Sequence, residues 1–371
     1  MRKSLLATTA IVATSMLGVA AAEASDPPSV TIRGYSRFEI MAVDQDYTSG
    51  RAHSLNFEVD DSEIVFDANT TADNGLKYGF KVEWDTDANA IDENRLRFSG
   101  PWGILDLGAD DGAEDSMRYG GQNLLTGIGG YDGGYGAGFN TLGAANTGPG
   151  LGEGGGDSSD ANKITYYTPR ISGIQAGVSF TPDTGQFYAV GISANDTQDL
   201  RNHVGAGINY VEKFGDVDFR IHATGGWGAV DNDLSDTIED ASGYTVGGGL
   251  GWQGWSVALG YGDGGDGLQT KASGADNGDW ISSSIRYQTG PYTIAGGYLK
   301  RGQDLGTQDM DLDVFTLGAN WNFQPGLRLY GEVLWADIKN PTSTLTDGSA
   351  PGTTVIQNDG VVFAVGTNIA F

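Results

Sequence analysis

The chain has 371 residues, no cysteine, and 48 acidic against 21 basic side chains, for a formal net charge of −27. That balance excludes nucleic acid as a partner, since binding phosphate needs a basic footprint. The missing thiols exclude disulfides, thiolate catalysis and zinc–cysteine centres. Glycine supplies 60 residues, more than twice the usual share of about 7%. It alternates with Tyr, Trp, Phe, Val and Ile at period two and therefore belongs to strands.

Residues 1–22 read as a secretory signal peptide: Arg2 and Lys3, an apolar run from Leu5, then small residues with cleavage expected after Ala22 or Ala24. Its removal leaves 23–371 as one domain and takes the net charge to −29. No other stretch of about 18 apolar residues follows, so no transmembrane helix is expected.

Strands are expected near 30–43, 53–70, 76–86, 91–99, 104–110, 162–169, 174–181 and 203–214. The series continues near 217–230, 242–252, 255–263, 279–289, 292–302, 310–323, 327–339 and 359–371, sixteen in all. Tight turns such as ADNG, GPWG, FGD and QPG alternate with polar loops at 44–52, 111–160, 182–202, 231–241, 264–278 and 340–358. Short turns at one end and long loops at the other are the habit of an all-β, antiparallel transmembrane barrel in the outer membrane. An even count puts both chain ends on the turn side. The segment QFYAVGIS at 186–193 is placed inside a loop.

Opposite faces of these strands differ in kind. On 76–86, Leu76, Tyr78, Phe80, Val82 and Trp84 oppose Lys77, Lys81, Glu83 and Asp85; on 217–230, Phe219, Ile221 and Trp227 oppose Asp218, Arg220 and His222. Charges of both signs on the polar face would cost several kcal/mol each in lipid or a dry core, so they need water inside the barrel. The eight tryptophans fall at strand ends or beside turns, as two interfacial girdles require. In the closing segment GVVFAVGTNIAF, Val361, Phe363, Val365, Thr367, Ile369 and Phe371 share one face. An apolar strand without a polar tail must be paired, here against the first strand so that no edge is left open in lipid.

The block ENRLRFSGPWGILDLGADDG, the sixteen-strand pattern and the terminal Phe resemble the general diffusion porins of Gram-negative bacteria, most closely the alphaproteobacterial type. The resemblance covers the mature chain. It implies a homotrimer of sixteen-stranded barrels among outer-membrane lipids including lipopolysaccharide. Each barrel would be a water-filled pore for small hydrophilic solutes, narrowed by a third loop folded inward. It also implies that Phe371 and the last strand are read by the barrel-assembly machinery.

The fifty residues 111–160 would then form the constriction loop. A loop of that length without regular structure needs a functional reason in a compact domain. Asp110, Asp111, Glu114, Asp115 and Asp132 are its acidic candidates and Arg118 its only base; Glu153, Asp157 and Asp160 are expected in the outer vestibule. Wall bases facing them by parity are Arg33, Arg37, Arg95 and Arg97, with Lys77 and Lys81 nearby. The resemblance makes Arg95 the eyelet arginine. Opposed charges would set a transverse field, while the aperture sets size, and surplus acid gives a weak to moderate cation preference.

Other readings carry less. The runs GADDGAED and GYGDGGDG offer hard oxygen ligands for calcium, the first through Asp110, Asp111, Glu114 and Asp115; no cofactor is otherwise required. The GxGxxG match at Gly260, Gly262 and Gly265 lacks an adjoining helix. A barrel enzyme would need one of His53, His203 or His222 within reach of a serine and an acid. A substrate-specific channel would need a run of aromatics on the lumen face, where only Tyr35, Tyr167 and Tyr330 are expected. An adhesin would not need a long inward loop.

Overall fold

The computed structural model describes residues 27–46, 54–127, 129–132, 139, 158–185, 200–230, 237–306, 308–341, 343, 354 and 356–371. Among them β1 (Ser29–Gln45) and β2 (Leu55–Thr71) are the longest strands. β3 (Lys77–Asp85), β4 (Ala90–Gly100), β5 (Gly103–Ala109) and β6 (Asn162–Tyr167) shorten progressively along that side, apart from β4. β7 (Ile174–Asp183), β8 (Leu200–Phe214), β9 (Val217–Val230), β10 (Ala241–Trp252) and β11 (Trp255–Asp263) follow. β12 (Asp279–Thr289), β13 (Tyr292–Asp304), β14 (Asp309–Gln324), β15 (Leu327–Lys339) and β16 (Gln357–Ala370) complete the sheet.

Every strand pairs antiparallel with its chain neighbours, and β16 pairs back on β1 to close the barrel. Closure runs from Tyr35↔Ala370 to Gln45↔Gly360. Gly34 and Phe371 then exchange backbone hydrogen bonds of 3.1 and 2.9 Å, so the pairing reaches the last residue. The sixteen-strand expectation and its closure hold. The segment 186–193 and His53 lie outside the described residues.

Turn chemistry explains the short end. Gln253 and Gly254 join β10 to β11 with φ of 47° and 85°, the type I′ geometry whose twist matches the flanking strands. The other end is less regular than the expected alternation: 86–89 and 305–308 are as short as the turns.

The outward face is apolar. Phe38, Phe80, Ile221, Leu259, Phe315 and Phe363 are 44–63% exposed, as side chains meant for lipid are. Trp280 departs from the girdle expectation. It alternates with outward Ile281, points inward and is 2% exposed, with its indole over Gly262, where a Cβ would sit 2.4 Å from the ring.

The inner face also departs from an all-polar lining. Leu299, Leu312, Val314, Leu334, Ile338 and Val362 face inward from β13–β16 and form a buried cluster with Met41, Tyr131 and Phe139. Each such burial is worth roughly 1.5–3 kcal/mol. One side of the lumen is therefore a small dry core, and the other is charged.

Candidate functional site

The charged side is built by β1–β5. Arg33 Nε lies 3.1 Å from Asp67, and Arg37 lies 3.1 Å from Asp61 and 3.5 Å from Glu39. Lys81 sits between Glu83, at 2.7 Å, and Glu93. Arg95 is paired with Asp110, and Arg97 grips Asp106 through two bonds of 2.7 and 2.6 Å. The register places Lys81 directly opposite Arg95, a like-charge pair that these carboxylates neutralise. Arg33 and Arg97 keep 52% and 40% of their side chains open to water, whereas Arg37, Lys81 and Arg95 keep only 11–15%.

Asp110, just beyond β5, is the hinge of this arrangement. Its burial alone would raise the carboxyl pKa; the Arg95 guanidinium and the Lys81 ammonium outweigh that and hold it below the usual value. The Lys163 ammonium donates to the Asp110 carbonyl and to the Ser159 carbonyl, tying together both ends of the loop 110–161.

From there the loop runs inside the barrel. Its one-turn helix α1 (Ala113–Ser116) seats Ala113 N–H on Ser179 Oγ of β7 at 2.6 Å. Asn209 of β8 donates to the Met117 carbonyl at 3.3 Å, and Tyr119 N–H donates to His222 Nδ1 of β9 at 3.1 Å. Ser284 of β12 reaches the Gly121 carbonyl at 2.6 Å, and Gly127 N–H reaches Asn320 of β14 at 2.9 Å. Tyr131 and Phe139 then enter the apolar patch. Inward side chains thus take up the loop's backbone groups in sequence around the wall, as buried amides require.

The sequence-predicted acids separate. Asp110 and its wall bases Arg95, Lys81 and Arg97 come together as a network. Glu114 does not line an aperture: it is 2% exposed, accepts the Ser158 hydroxyl at 2.6 Å and lies 3.9 Å from His203 Nδ1. Its carboxylate occupies the space where a Cβ on Gly205 of β8 would stand. Asp115 pairs with Arg118 of its own turn. Asp111 approaches Glu93 and Asp160 within 4.8 Å. Asp132 closes a 3-10 turn, Gly130–Asp132, while Glu153 and Asp157 lie outside the described residues. The four acids read as a calcium set thus take different partners.

Lys163 and Ser158 were missed in the sequence, and His203 was weighed only as a residue of a barrel enzyme. Lys163 and His203 stand at inward positions, but parity does not say what they meet. Ser158 bonds the carboxylate, not an imidazole, and His222 Nε2 faces Thr245 at 3.0 Å.

The family model for Gram-negative porins matches residues 7–341. An anion-selective porin from Comamonas acidovorans superposes with a TM-score of 0.63 at 17% identity, covering 93% of this chain and all of that one. A trimer form of the outer-membrane protein OmpT from Vibrio cholerae gives 0.61 at 16%, with the same coverage. Among curated proteins, an uncharacterised protein of Rickettsia bellii is 23% identical over 257 residues. The chain spans 57% of the length of that relative. The closed sixteen-strand barrel and the family match together place this chain in the Gram-negative porin family of the outer membrane.

Proposed function

We propose that the barrel is a passive diffusion channel for small hydrophilic solutes and ions, with the loop 110–161 as its constriction. One observation carries this: the described loop residues pack on the inner faces of β6–β15, whereas the charged wall is built by β1–β5. Solutes would pass between wall and loop, sorted by size and by the local field. Each buried base of that wall stands between two carboxylates: Lys81 between Glu83 and Glu93, Arg37 between Glu39 and Asp61, Arg95 between Asp106 and Asp110. The surplus of acid supports a cation preference, unlike the anion-selective relative. No bond-making step belongs to this reading.

Assembly as a homotrimer in contact with lipopolysaccharide, with Phe371 as the assembly signal, is part of the same proposal. Planar-bilayer conductance of the mature protein under a salt gradient tests it. Steps in threes with a cation-leaning reversal potential are expected; a folded, membrane-embedded barrel that passes no current would overturn it.

A further inference from the structure

The fixed charge of the lumen changes sign along its axis. At the long-loop end, inward carboxylates exceed bases. Glu63, Glu83 and Asp92 approach one another within 4.8 Å, as do Glu93, Asp111 and Asp160; of the described bases there, Arg37, Lys81, Arg95 and Arg201 are engaged by acid, while Lys163 and Arg301 donate to backbone carbonyls. At the short-turn end the balance reverses. Lys77 opens β3, Arg220 lies four residues into β9, Arg286 stands near the end of β12, and Arg328 near the start of β15. Arg170 joins them from the turn before β7, reaching the inward residues Gln175 and Asn209 at 2.8 Å.

The four that stand on strands share the inward parity. Lys77 and Lys81 stand on the same face of β3, opposite Phe80 and Trp84; Arg286 and Arg328 adjoin outward Ile285 and Leu329. Arg220 lies 4.8 Å over the ring of Tyr119 inside the lumen. None of the five has an ion-pair partner among the described residues. The acids of that end are otherwise used: Asp67, Asp106 and Asp218 are held by Arg33, Arg97 and Lys213. Glu212 faces outward, and Asp73 and Asp216 sit on turn tips. A cavity of ≈ 920 Å³ opens beside Lys77 and Arg97, so the basic mouth is wet.

We propose that this lumen is a bipolar conduit, an acidic outer mouth in series with a basic periplasmic mouth, and that it therefore rectifies ionic current. The inference rests on the channel reading above. When the long-loop side is positive, cations are driven in through the acidic mouth and anions through the basic one. Both then accumulate where the two zones meet, and conductance is high. At the opposite voltage each ion must enter through the mouth of its own sign, the junction is depleted, and conductance falls. Polyvalent anions such as phosphate would be retained at the periplasmic mouth.

The effect needs a Debye length comparable with the bore, about 10 Å at 0.1 M salt and 3 Å at 1 M. Single-channel currents at equal and opposite voltages in symmetric potassium chloride test it. Insertion direction can be read from Asp216→Cys on a short turn, labelled from one chamber with an impermeant thiol reagent, since the chain has no other cysteine. Conductance with the long-loop side positive should exceed the reverse by about 1.5- to 2-fold in 0.1 M salt and by nothing measurable in 1 M. In the triple variant Lys77→Gln, Arg286→Gln, Arg328→Gln, whose side chains hold no ion pair among the described residues, the excess over unity should fall by more than half, Arg170 and Arg220 being left in place. Each single substitution should remove part of it.

Linear currents in dilute salt, an asymmetry of the opposite sign, or one undiminished in the triple variant would overturn the bipolar reading and leave the channel standing. A silent bilayer would remove the channel itself.

Discussion

At the scale of single residues, Asp110 decides how much charge Arg95 presents to the lumen. Asp110→Asn should leave the guanidinium with only Asp106, 3.9 Å away and shared with Arg97, and move the reversal potential toward anions, read in a bilayer under a salt gradient. The same group fixes a pH dependence. Its carboxyl is held below the ordinary aspartate value, so the contribution of the Arg95–Asp110 pair is complete above pH 3.8 and fades as pH falls below it. Selectivity should therefore stay constant down to about pH 4 for this pair and shift toward anions below, a shift that Asp110→Asn should show already at neutral pH. Glu114 makes the opposite point. Both its charge and its acidic neighbourhood suggest a lining residue, yet burial against Gly205 and Ser158 makes it a fastening. Glu114→Ala should cost about 1–3 kcal/mol, the usual penalty for orphaned buried polar partners, and should appear as excess current noise and faster protease cleavage within 111–160, with little change in ion preference.

At the scale of elements, the loop is held by two kinds of contact that fail differently. Its described residues from Ala113 to Gly127 are hung on polar side chains of β7–β14, and Tyr131 and Phe139 sit in the apolar patch of β13–β16. Gly205→Val would place side-chain atoms where the Glu114 carboxylate lies, since even a Cβ would come within 1.6 Å of it. The barrel should still form while the loop is displaced and the unit conductance altered. Leu312→Ala should cost about 2–5 kcal/mol as a cavity in a packed region, read as a lowered temperature at which the folded band is lost on a gel. The apolar patch was not legible beforehand. On β14 both faces are greasy, Leu312 and Val314 inward, Phe315 and Leu317 outward. Such a strand fits either two dry environments or a mistaken parity until its partner is seen.

At the scale of the whole molecule, the wall is uneven. A strand needs about 9–11 residues to cross a bilayer, but β5 has 7 and β6 has 6. Beside them, Asn94 turns an exposed amide outward at the level of Leu96, where lipid would penalise it. In the homotrimer proposed above, this low wall is the surface that a second copy of the chain would cover in place of hydrocarbon. Leu107→Arg should convert trimers to folded monomers on a native gel, whereas Leu317→Arg, on the tall wall, should cost about 2–4 kcal/mol of membrane insertion and leave the oligomer of the inserted fraction intact.

What the sequence by itself determined is the strand system: sixteen strands, their inner and outer faces, and a last strand that closes on the first. Those properties follow from period-two alternation and turn chemistry, both local along the chain. Arg33, Arg37, Arg95 and Arg97 were legible as inward bases for the same reason. Only the tertiary structure decided what each inward side chain meets: Arg95 with Asp110, Glu114 with Ser158, Trp280 with Gly262, Tyr330 with Glu39 at 2.6 Å and 291 residues away. Parity fixes the direction in which a side chain leaves its strand. What stands across the lumen depends on barrel closure and on the path of a loop whose backbone has no period to read.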